Sequence, residues 1–173
     1  GDDARRTVIV TGGGSGIGRY LVAAFAQQGA QVGFLDRDAD AGELTRERIE
    51  KETGATPHFA CCDVTDIAAL RAAILKLRAL TGPVTGLVNN AGNDDRRPFD
   101  ELEPEYWDER LAVNLRHLAF AAQAGLPDMV AAGGGAIVNL GSNSWMQGAA
   151  GLLPYTTAKA AIHGLTRSLA REL

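Results

Sequence analysis

Short apolar runs alternate with amphipathic stretches along the whole chain. The β-branched run TVIVTG predicts a buried strand, and the residues after it place apolar side chains at helical spacing until Gly29. These two patterns then repeat. Strands are predicted at 7–12, 31–36, 57–64, 86–92 and 135–142. Helices are predicted at 15–30, 38–54, 67–82 and 104–132, the last interrupted at Pro127, and again from Pro154 or Tyr155 onward.

The order of these elements predicts the fold class. Strands that alternate with helices, and that are apolar on both sides, belong to a parallel sheet covered by helices on both faces. Right-handed crossovers make this an α/β, Rossmann-like, doubly wound parallel sheet in a single domain over residues 1–173. Leu173 falls inside a helical pattern without a stop signal, so we expect the sequence to be part of a longer polypeptide.

Charge and cysteine content exclude several classes of function. A net charge of −4 disfavours a nucleic-acid partner, because phosphate binding needs a basic face. The apolar runs are too short to span a membrane and no signal peptide is recognisable, so a cytoplasmic location is expected. Cys61 and Cys62 are adjacent and the three histidines are scattered, which predicts neither a disulfide framework nor a metal site.

The sequence TGGGSGIG at 11–18 lies between the first strand and the first helix. Gly12, Gly16 and Gly18 would let the backbone turn tightly and approach a pyrophosphate without a Cβ clash. The anion would then meet the free N–H groups and the positive dipole end of the helix. A simple tight connection between strand and helix is the alternative.

Asp36 ends the second predicted strand, eighteen residues after Gly18. A carboxylate at this point accepts hydrogen bonds from the adenosine ribose hydroxyls and repels a 2′-phosphate, which favours NAD over NADP. The alternative is a helix N-cap, since Asp36 and Asp38 both precede a helix. Arg37 argues the other way, because an arginine tolerates the 2′-phosphate.

The sequence YTTAK at 155–159 places a tyrosine one helical turn before a lysine. A tyrosine hydroxyl in water has a pKa near 10, so it needs a nearby positive charge to act as a base at neutral pH. Lys159 lies on the same helix face as Tyr155 and can supply that charge. The alternative is an aromatic residue beside a lysine whose stem covers apolar surface.

Taken in order, the glycine turn, Asp36, the NNAG motif at 89–92, Ser142 thirteen residues before the tyrosine, and YTTAK resemble the short-chain dehydrogenase/reductase family. The resemblance spans the chain and implies a catalytic set of Asn114, Ser142, Tyr155 and Lys159. It also implies a cofactor site formed by Gly12, Ser15, Gly16, Ile17, Gly18, Asp36, Asp63, Val64, Asn90, Ala91, Gly92, Tyr155 and Lys159.

The resemblance also implies how these residues act. Tyr155 would take the proton of the substrate hydroxyl while a hydride moves to the nicotinamide, and Ser142 would hydrogen-bond the substrate oxygen. Lys159 would tune the tyrosine and bind the ribose. Asn114 would hold a water for the proton, unless it only marks a kink in its helix. Asn90 has the alternative of satisfying loop backbone alone.

Three segments resemble a narrower branch, the NAD-dependent aldose 1-dehydrogenases of the D-xylose type. They are 90–97, 105–117 and 141–145. The implied reaction oxidises the anomeric hydroxyl of an aldose to a lactone, with Asn93, Ser142, Trp145 and Tyr155 contacting the sugar. Alternatively, Asn93 is only a turn residue and Trp145 only a packing residue. Asp94 and Asp95 would then form an ion cluster with Arg96 that orders the loop.

Other functions stay open at this point. A 3-oxoacyl-thioester reductase would use the same catalytic positions, although Asp36 disfavours its usual NADPH. A silent NAD-binding scaffold would share the fold, although the intact catalytic set disfavours it. The family resemblance further implies a homotetramer or homodimer, and a further strand and a substrate lid beyond Leu173.

Overall fold

A computed structural model describes residues 6–173, and it confirms a parallel sheet with helices on both faces. The five strands lie in the order β3-β2-β1-β4-β5. None of the helices in residues 6–173 is both long enough and apolar enough to cross a bilayer. The strands are β1 Thr7–Thr11, β2 Gln31–Asp36, β3 His58–Cys61, β4 Gly86–Asn89 and β5 Ala136–Asn139. The helices are α1 Gly16–Gln27, α2 Ala39–Thr53, α3 Ile67–Thr81, α4 Pro104–Leu111, α5 His117–Ala131, α6 Ser144–Gln147 and α7 Leu153–Glu172.

The strand order creates the crevice where the site lies. After β3 the chain returns across the sheet, so β4 pairs with the free side of β1. The strand order therefore reverses beside β1. The loops that follow β1 and β4 both begin at the carboxyl ends of the strands, and they lead to strands on opposite sides of this pair. Ligands of open α/β sheets bind in such a crevice at the carboxyl ends of the strands.

Alternate residues of the strands build a core on each side of the sheet. Ile9 and Leu35 pack with Leu70 and Leu77 of α3 on one side. Val8, Val10 and Phe34 pack with residues of α1 and α2 on the other. Burying an apolar side chain of this size contributes about 1.5–3 kcal/mol, so both faces hold the strand ends in place.

The interruption predicted at Pro127 is wrong. Pro127 lies inside α5 and is exposed, so its missing N–H falls on the solvent side of the helix. Asp128 beside it is buried and holds this turn, because it accepts hydrogen bonds from Val84 N at 2.9 Å and Arg78 Nε at 2.7 Å. The irregularity lies instead at Ala112–Arg116, a π-helical turn between α4 and α5.

The structure also shortens several strands and adds two elements. The strands β3, β4 and β5 end before the predicted limits of 64, 92 and 142, because the chain leaves the sheet as irregular loops. A 3₁₀ turn at Phe99–Glu101 and the short helix α6 have no counterpart in the apolar periodicity. Both lie in the segments that surround the candidate site.

Candidate active site

One cavity of about 560 Å³ opens at the carboxyl ends of the strands. It brings together every predicted cofactor residue except Tyr155 and Lys159. The sequence did not single out several other residues of its wall. These are Cys62, Thr65, Glu109, Arg110 and Val113. Of the remaining wall residues, Arg37 was considered only for its tolerance of a 2′-phosphate, Asp94 only for an ion cluster and Asn93 only for the substrate.

The glycines of the turn after β1 are required for different reasons. Gly12 and Gly16 have φ of 69° and 51°, the left-handed region that side chains rarely adopt. A Cβ at Gly18 would overlap the carbonyl oxygen of Gly12, so α1 can approach the turn only without a side chain there. A Cβ at Gly16 would meet no atom of residues 6–173 within 4 Å, which leaves open space on the cavity side.

The N-terminus of α1 differs from those of α2 and α3. Asp38 caps α2 by accepting from Ala41 N at 2.9 Å, and Asp66 caps α3 by accepting from Ala69 N at 3.0 Å. At α1, no side chain of the described residues forms such a cap. Its first N–H groups are therefore available on the cavity wall, where a helix N-terminus favours a phosphate. This open end fits the pyrophosphate of a dinucleotide.

Asp36 is held at the edge of the cavity by backbone donors. Its Oδ2 accepts from Gly14 N at 2.9 Å and its Oδ1 accepts from Asp38 N at 3.0 Å. Asp38, and not Asp36, caps α2. The carboxylate thus stands where the sequence predicts a ribose ligand. Arg37 lines the same cavity and is exposed, so a cation lies beside that carboxylate.

The segments after β3 and β4 form the rest of the cavity wall. Thr65 donates to Asp63 Oδ1 through its backbone N–H, at 2.9 Å, and through its hydroxyl, at 2.8 Å, and these hydrogen bonds lower the pKa of Asp63. Asn90 Nδ2 donates to Thr11 O and Gly12 O, both at 3.0 Å. The Asn90 amide therefore braces the glycine turn, and the residue also lines the cavity.

Tyr155 and Lys159 lie on the first turns of α7, as the sequence predicts. Lys159 is buried, its Nζ donates to Leu140 O at 2.9 Å, and the same atom lies 5.6 Å from the centroid of the Tyr155 ring. Burial lowers the pKa of Lys159. An ammonium has three donors, so two remain for other partners.

Asn114 lies in the π-helical turn and is completely buried. Its Oδ1 accepts from Asn93 N at 2.8 Å, and its Nδ2 donates to Asn93 O at 3.0 Å and Arg110 O at 2.9 Å. The side chain therefore ties the helix to the loop after β4. The sequence left two roles open for Asn114, a kink in its helix and a part in catalysis. A π-helical turn is compatible with both, because it is an irregularity in a helix and is frequent at functional sites.

Gly92 lies between the cavity and two residues of the predicted catalytic set. A Cβ at Gly92 would lie 3.0 Å from Asn114 Oδ1 and 3.5 Å from Lys159 Nζ. Gly92 itself lines the cavity. Lys159 Nζ therefore lies close to a residue of the cavity wall, although Lys159 itself does not line the cavity.

The other predicted substrate residues lie outside the lining of this cavity. The Ser142 hydroxyl donates to Ser144 Oγ at 2.9 Å and accepts from Ser144 N at 3.2 Å. Trp145 packs edge-on against His163, with ring centroids 5.5 Å apart. His163 lies one turn beyond Lys159 on α7. The indole therefore contacts α7 in this structure, and its role toward a substrate stays a prediction.

His117 contacts Ala91 of the cavity wall, and the sequence did not single it out. Its ring is fully buried, and Nε2 lies 3.2 Å from Ala91 O, beside the cofactor segment. Burial lowers the pKa of His117 to about 4, so the ring is neutral at pH 7 and can donate to that carbonyl. The signal available in the sequence was its spacing, three residues after Asn114 in a helix. Nowhere in residues 6–173 do three or more His, Cys, Asp or Glu side chains form a group that could hold a metal ion.

Two curated relatives are similar along almost the whole chain. A protein of Rhizobium meliloti (strain 1021) that bears the name "Probable galactose dehydrogenase" is 48% identical over 168 residues. The D-xylose 1-dehydrogenase of Caulobacter vibrioides (strain NA1000 / CB15N) is 48% identical over 169 residues. Each alignment covers 97% of this chain and 66% of the relative, so the chain spans about two thirds of their length.

A solved structure and a family model agree with this similarity. A variant of actinorhodin polyketide ketoreductase, crystallised with NADPH, superposes with a TM-score of 0.91 at 29% identity. That superposition covers 97% of this chain and 65% of the ketoreductase. The model of the family described as short chain dehydrogenase matches residues 6–173. A match over this span shows that the chain belongs to the short-chain dehydrogenase family.

Proposed function

We propose that the protein is an NAD-dependent dehydrogenase that oxidises the anomeric hydroxyl of an aldose to a lactone. The observation that carries the proposal is the proximity of Gly92, a residue of the cavity wall, to the ammonium of Lys159, which in turn lies beside the Tyr155 ring. This arrangement supports redox chemistry beside a bound dinucleotide. The similarity to D-xylose and galactose dehydrogenases supports a sugar as the reductant.

The cofactor would be held along the cavity. The uncapped N-terminus of α1 would bind the pyrophosphate, Asp36 the adenosine ribose, and Asp63 and Val64 the adenine end. Asn90, Ala91 and Gly92 would line its middle. Bound NAD would supply the hydride acceptor, and the backbone and side chains of the protein would bind it, orient the substrate and move the proton.

The catalytic residues would manage the proton and the substrate oxygen. Tyr155 would take the hydroxyl proton, and Ser142 would donate a hydrogen bond to the oxygen as it becomes a carbonyl. Lys159 donates one N–H to Leu140 O, so its remaining N–H groups would serve the nicotinamide ribose and the Tyr155 oxygen. The Asn114 side chain is occupied by Asn93 and Arg110, so a proton-relay water would use the Asn114 carbonyl instead.

A thioester or polyketide ketoreductase is the second candidate function. The similarity to a ketoreductase crystallised with NADPH supports it, as does the exposed Arg37 beside Asp36. Asp36 supports NAD because its carboxylate would repel a 2′-phosphate. We therefore rank NAD above NADP for this chain.

The test is NADH formation by the complete gene product, of verified mass, with D-xylose, D-galactose, L-arabinose, D-glucose or L-fucose. Saturable turnover of one sugar to a lactone, abolished by Tyr155→Phe, would support the proposal. Turnover of no sugar, together with NADPH-dependent reduction of an acetoacetyl thioester, would replace it with the second candidate. Tight NAD binding without turnover of either substrate class would favour a scaffold.

We also propose that the complete protein is a cytoplasmic dimer or tetramer. The helices α5 and α7 expose Val130 and Leu153, apolar side chains suited to a subunit interface. Cys61 and Cys62 are free thiols, which suits a reducing compartment. Analytical ultracentrifugation would give the subunit number, and fractionation of the source cells would give the location.

A further inference from the structure

The loop at 93–97, here called the mouth loop, is held by one face of the following helix. Tyr106, Arg110 and Asn114 are four residues apart, so they share that face. Asn114 hydrogen-bonds both the N–H and the carbonyl of Asn93. The Tyr106 hydroxyl donates to Asp95 O at 3.1 Å. The backbone of the mouth loop therefore has side-chain partners at two successive points.

The ring of Tyr106 lies close to two arginines. The Arg97 guanidinium lies 3.8 Å from the centroid of its ring, and the Arg110 guanidinium lies 5.4 Å from the same centroid. Tyr106 and Arg110 are buried, with 6% and 5% of their surfaces exposed. The ring thus connects a cation of the mouth loop to a cation of α4.

Burial of the Arg110 side chain at this position costs free energy of folding. Its Nε and Nη1 have no hydrogen-bond partner among the described residues, and its only ion pair is with Glu109, at 2.9 Å. Burying unpaired donors of a charged group costs free energy, which cation–π contact with Tyr106 offsets in part. An apolar side chain at this position would pack α4 without the cost of burying unpaired donors. We therefore infer that Arg110 has a role beyond packing, through its contact with Tyr106.

The opposite side of the mouth loop contacts the segment before the catalytic helix. Arg97 N donates to Gly151 O at 2.9 Å, and Arg96 Nη1 donates to Ala150 O at 3.2 Å. Gly151 lies between Ser142 and Tyr155 in sequence. The mouth loop therefore bridges the cofactor cavity, which Asn93 and Asp94 line, and the segment that leads into α7.

Polar groups of the mouth loop remain available for a ligand. Asn93 Oδ1 accepts from Asp95 N at 2.8 Å, but its Nδ2 has no hydrogen bond to another described residue. Among the ion pairs of residues 6–173, none joins Asp94 or Asp95 to Arg96, so the ion cluster considered from the sequence does not form. A carboxylate and an amide N–H₂ on a rigid loop suit adjacent hydroxyl groups.

We propose that the Arg97–Tyr106–Arg110 stack is a positioning unit that fixes the mouth loop and thereby sets specificity for a polyhydroxylated substrate. The inference rests on the proposed function, because it places Asn93 and Asp94 toward the sugar. Arg110 lines the cavity and its carbonyl accepts from Asn114 Nδ2, but Arg97 and Tyr106 are not part of the cavity lining. Loss of the stack would loosen substrate binding and leave the cofactor site intact.

The test compares Tyr106→Phe, Tyr106→Leu and Arg97→Met in the complete gene product. Tyr106→Phe removes the hydrogen bond from the Tyr106 hydroxyl to Asp95 O and keeps the aromatic ring, so we expect KM for the sugar to rise about threefold. Tyr106→Leu removes the ring as well, so we expect a rise of about tenfold. The kcat at saturating sugar and the Kd for NAD should stay within about twofold of wild type, because the chemistry is untouched.

Arg71→Met is the matched control. Arg71 also lies over an aromatic ring, 5.4 Å from the centroid of Phe120, but on the helices α3 and α5 away from the mouth loop. We expect no change in KM from this variant. A proportional change of KM, kcat and NAD Kd in Tyr106→Phe would overturn the proposal, since it would indicate only general destabilisation. If Tyr106→Leu fails to fold, Tyr106→Phe and the less buried Arg97→Met decide the question.

Hydrogen exchange separates this proposal from the proposed function. The amides of Asn93, Asp95 and Arg97 are hydrogen-bonded in the structure, so they should exchange slowly. If no sugar is turned over, the proposed function fails, and exchange alone tests the positioning unit. Faster exchange across 93–97 in Tyr106→Phe than in Arg71→Met would support the unit. Equal exchange in the two variants would overturn it.

Discussion

The two halves of the candidate site are built in different ways. The glycine turn between β1 and α1 depends on side chains that are missing, because a Cβ at Gly18 would overlap Gly12 O and one at Gly13 would lie 2.6 Å from the Phe34 ring. The other half, which we propose to be catalytic, depends on side chains that contact remote segments of the chain. Asn114 binds Asn93 and Lys159 binds Leu140, over separations of 21 and 19 residues.

This difference shows which kind of change each half tolerates. In the first half, an atom added at Gly13 or Gly18 must displace a buried ring or backbone, because no spare volume surrounds these two positions. In the second half polar atoms are satisfied by remote partners, so removing one partner leaves another group buried and unpaired. Substitutions should therefore separate cofactor binding from chemistry.

Tyr155→Phe should separate the two halves most strongly. The variant keeps the ring against Lys159 but removes the hydroxyl that we propose takes the proton, so we expect kcat to fall by roughly 10²–10⁴-fold. The Kd for NAD should stay within about twofold, because the glycine turn is untouched. Steady-state kinetics and NAD titration check this. Tyr20→Phe, at an exposed tyrosine of α1, is the control, and a parallel loss of NAD affinity in Tyr155→Phe would contradict the separation.

Gly18→Ala should affect the other half. The added methyl group must push α1 away from the turn, so we expect a loss of about 3 kcal/mol in unfolding free energy together with most of the NAD affinity. Gly29→Ala is the matched control, since Gly29 has φ of 84° and a Cβ there would meet no atom of the described residues within 4 Å. It should cost roughly 1–2 kcal/mol and leave the Kd for NAD unchanged. Equal Kd values for the two variants would show that the turn is not a cofactor cradle.

The buried His117 should make the catalytic half sensitive to acid. Burial lowers the pKa of His117 to about 4, whereas an unfolded histidine has a pKa near 6.5. The unfolded state therefore binds this proton first, and stability falls as the pH drops from about 6.5 to 4, by up to roughly 3 kcal/mol. His117→Gln can still donate to Ala91 O but does not titrate, so its free energy of unfolding should fall less over this range. Urea titrations at several pH values check this, and identical slopes for both proteins would contradict it.

Asp36→Asn should give the smallest effect and concern only the choice of cofactor. The amide still accepts from Gly14 N but carries no charge, so repulsion of a 2′-phosphate is lost. We expect the ratio of the NADP and NAD dissociation constants to move about tenfold toward NADP, which corresponds to about 1.4 kcal/mol. Asp38→Asn is the control, because asparagine caps a helix as well as aspartate does. A ratio that moves equally in both variants would exclude Asp36 as the discriminating residue.

Several interpretations from the sequence held because they depend on local patterns. Alternating apolar runs predicted the parallel sheet, and glycine spacing with Asp36 predicted residues that the structure places around one cavity. Tyr155 and Lys159 share a helix face, as i and i+4 residues must. Pro127 misled the prediction because its cost depends on exposure and on the anchor at Asp128, neither of which is a local property.

The sequence by itself thus determined the order of the elements and the glycine turn, since periodicity and missing Cβ atoms act between residues close along the chain. Only the tertiary structure decided the π-helical turn at Asn114, the burial of His117 and the stack of Arg97 on Tyr106. The physical reason is that a buried polar group must find its partners wherever the fold supplies them. Those partners lie on remote segments, and no pattern within a single helix or strand specifies them.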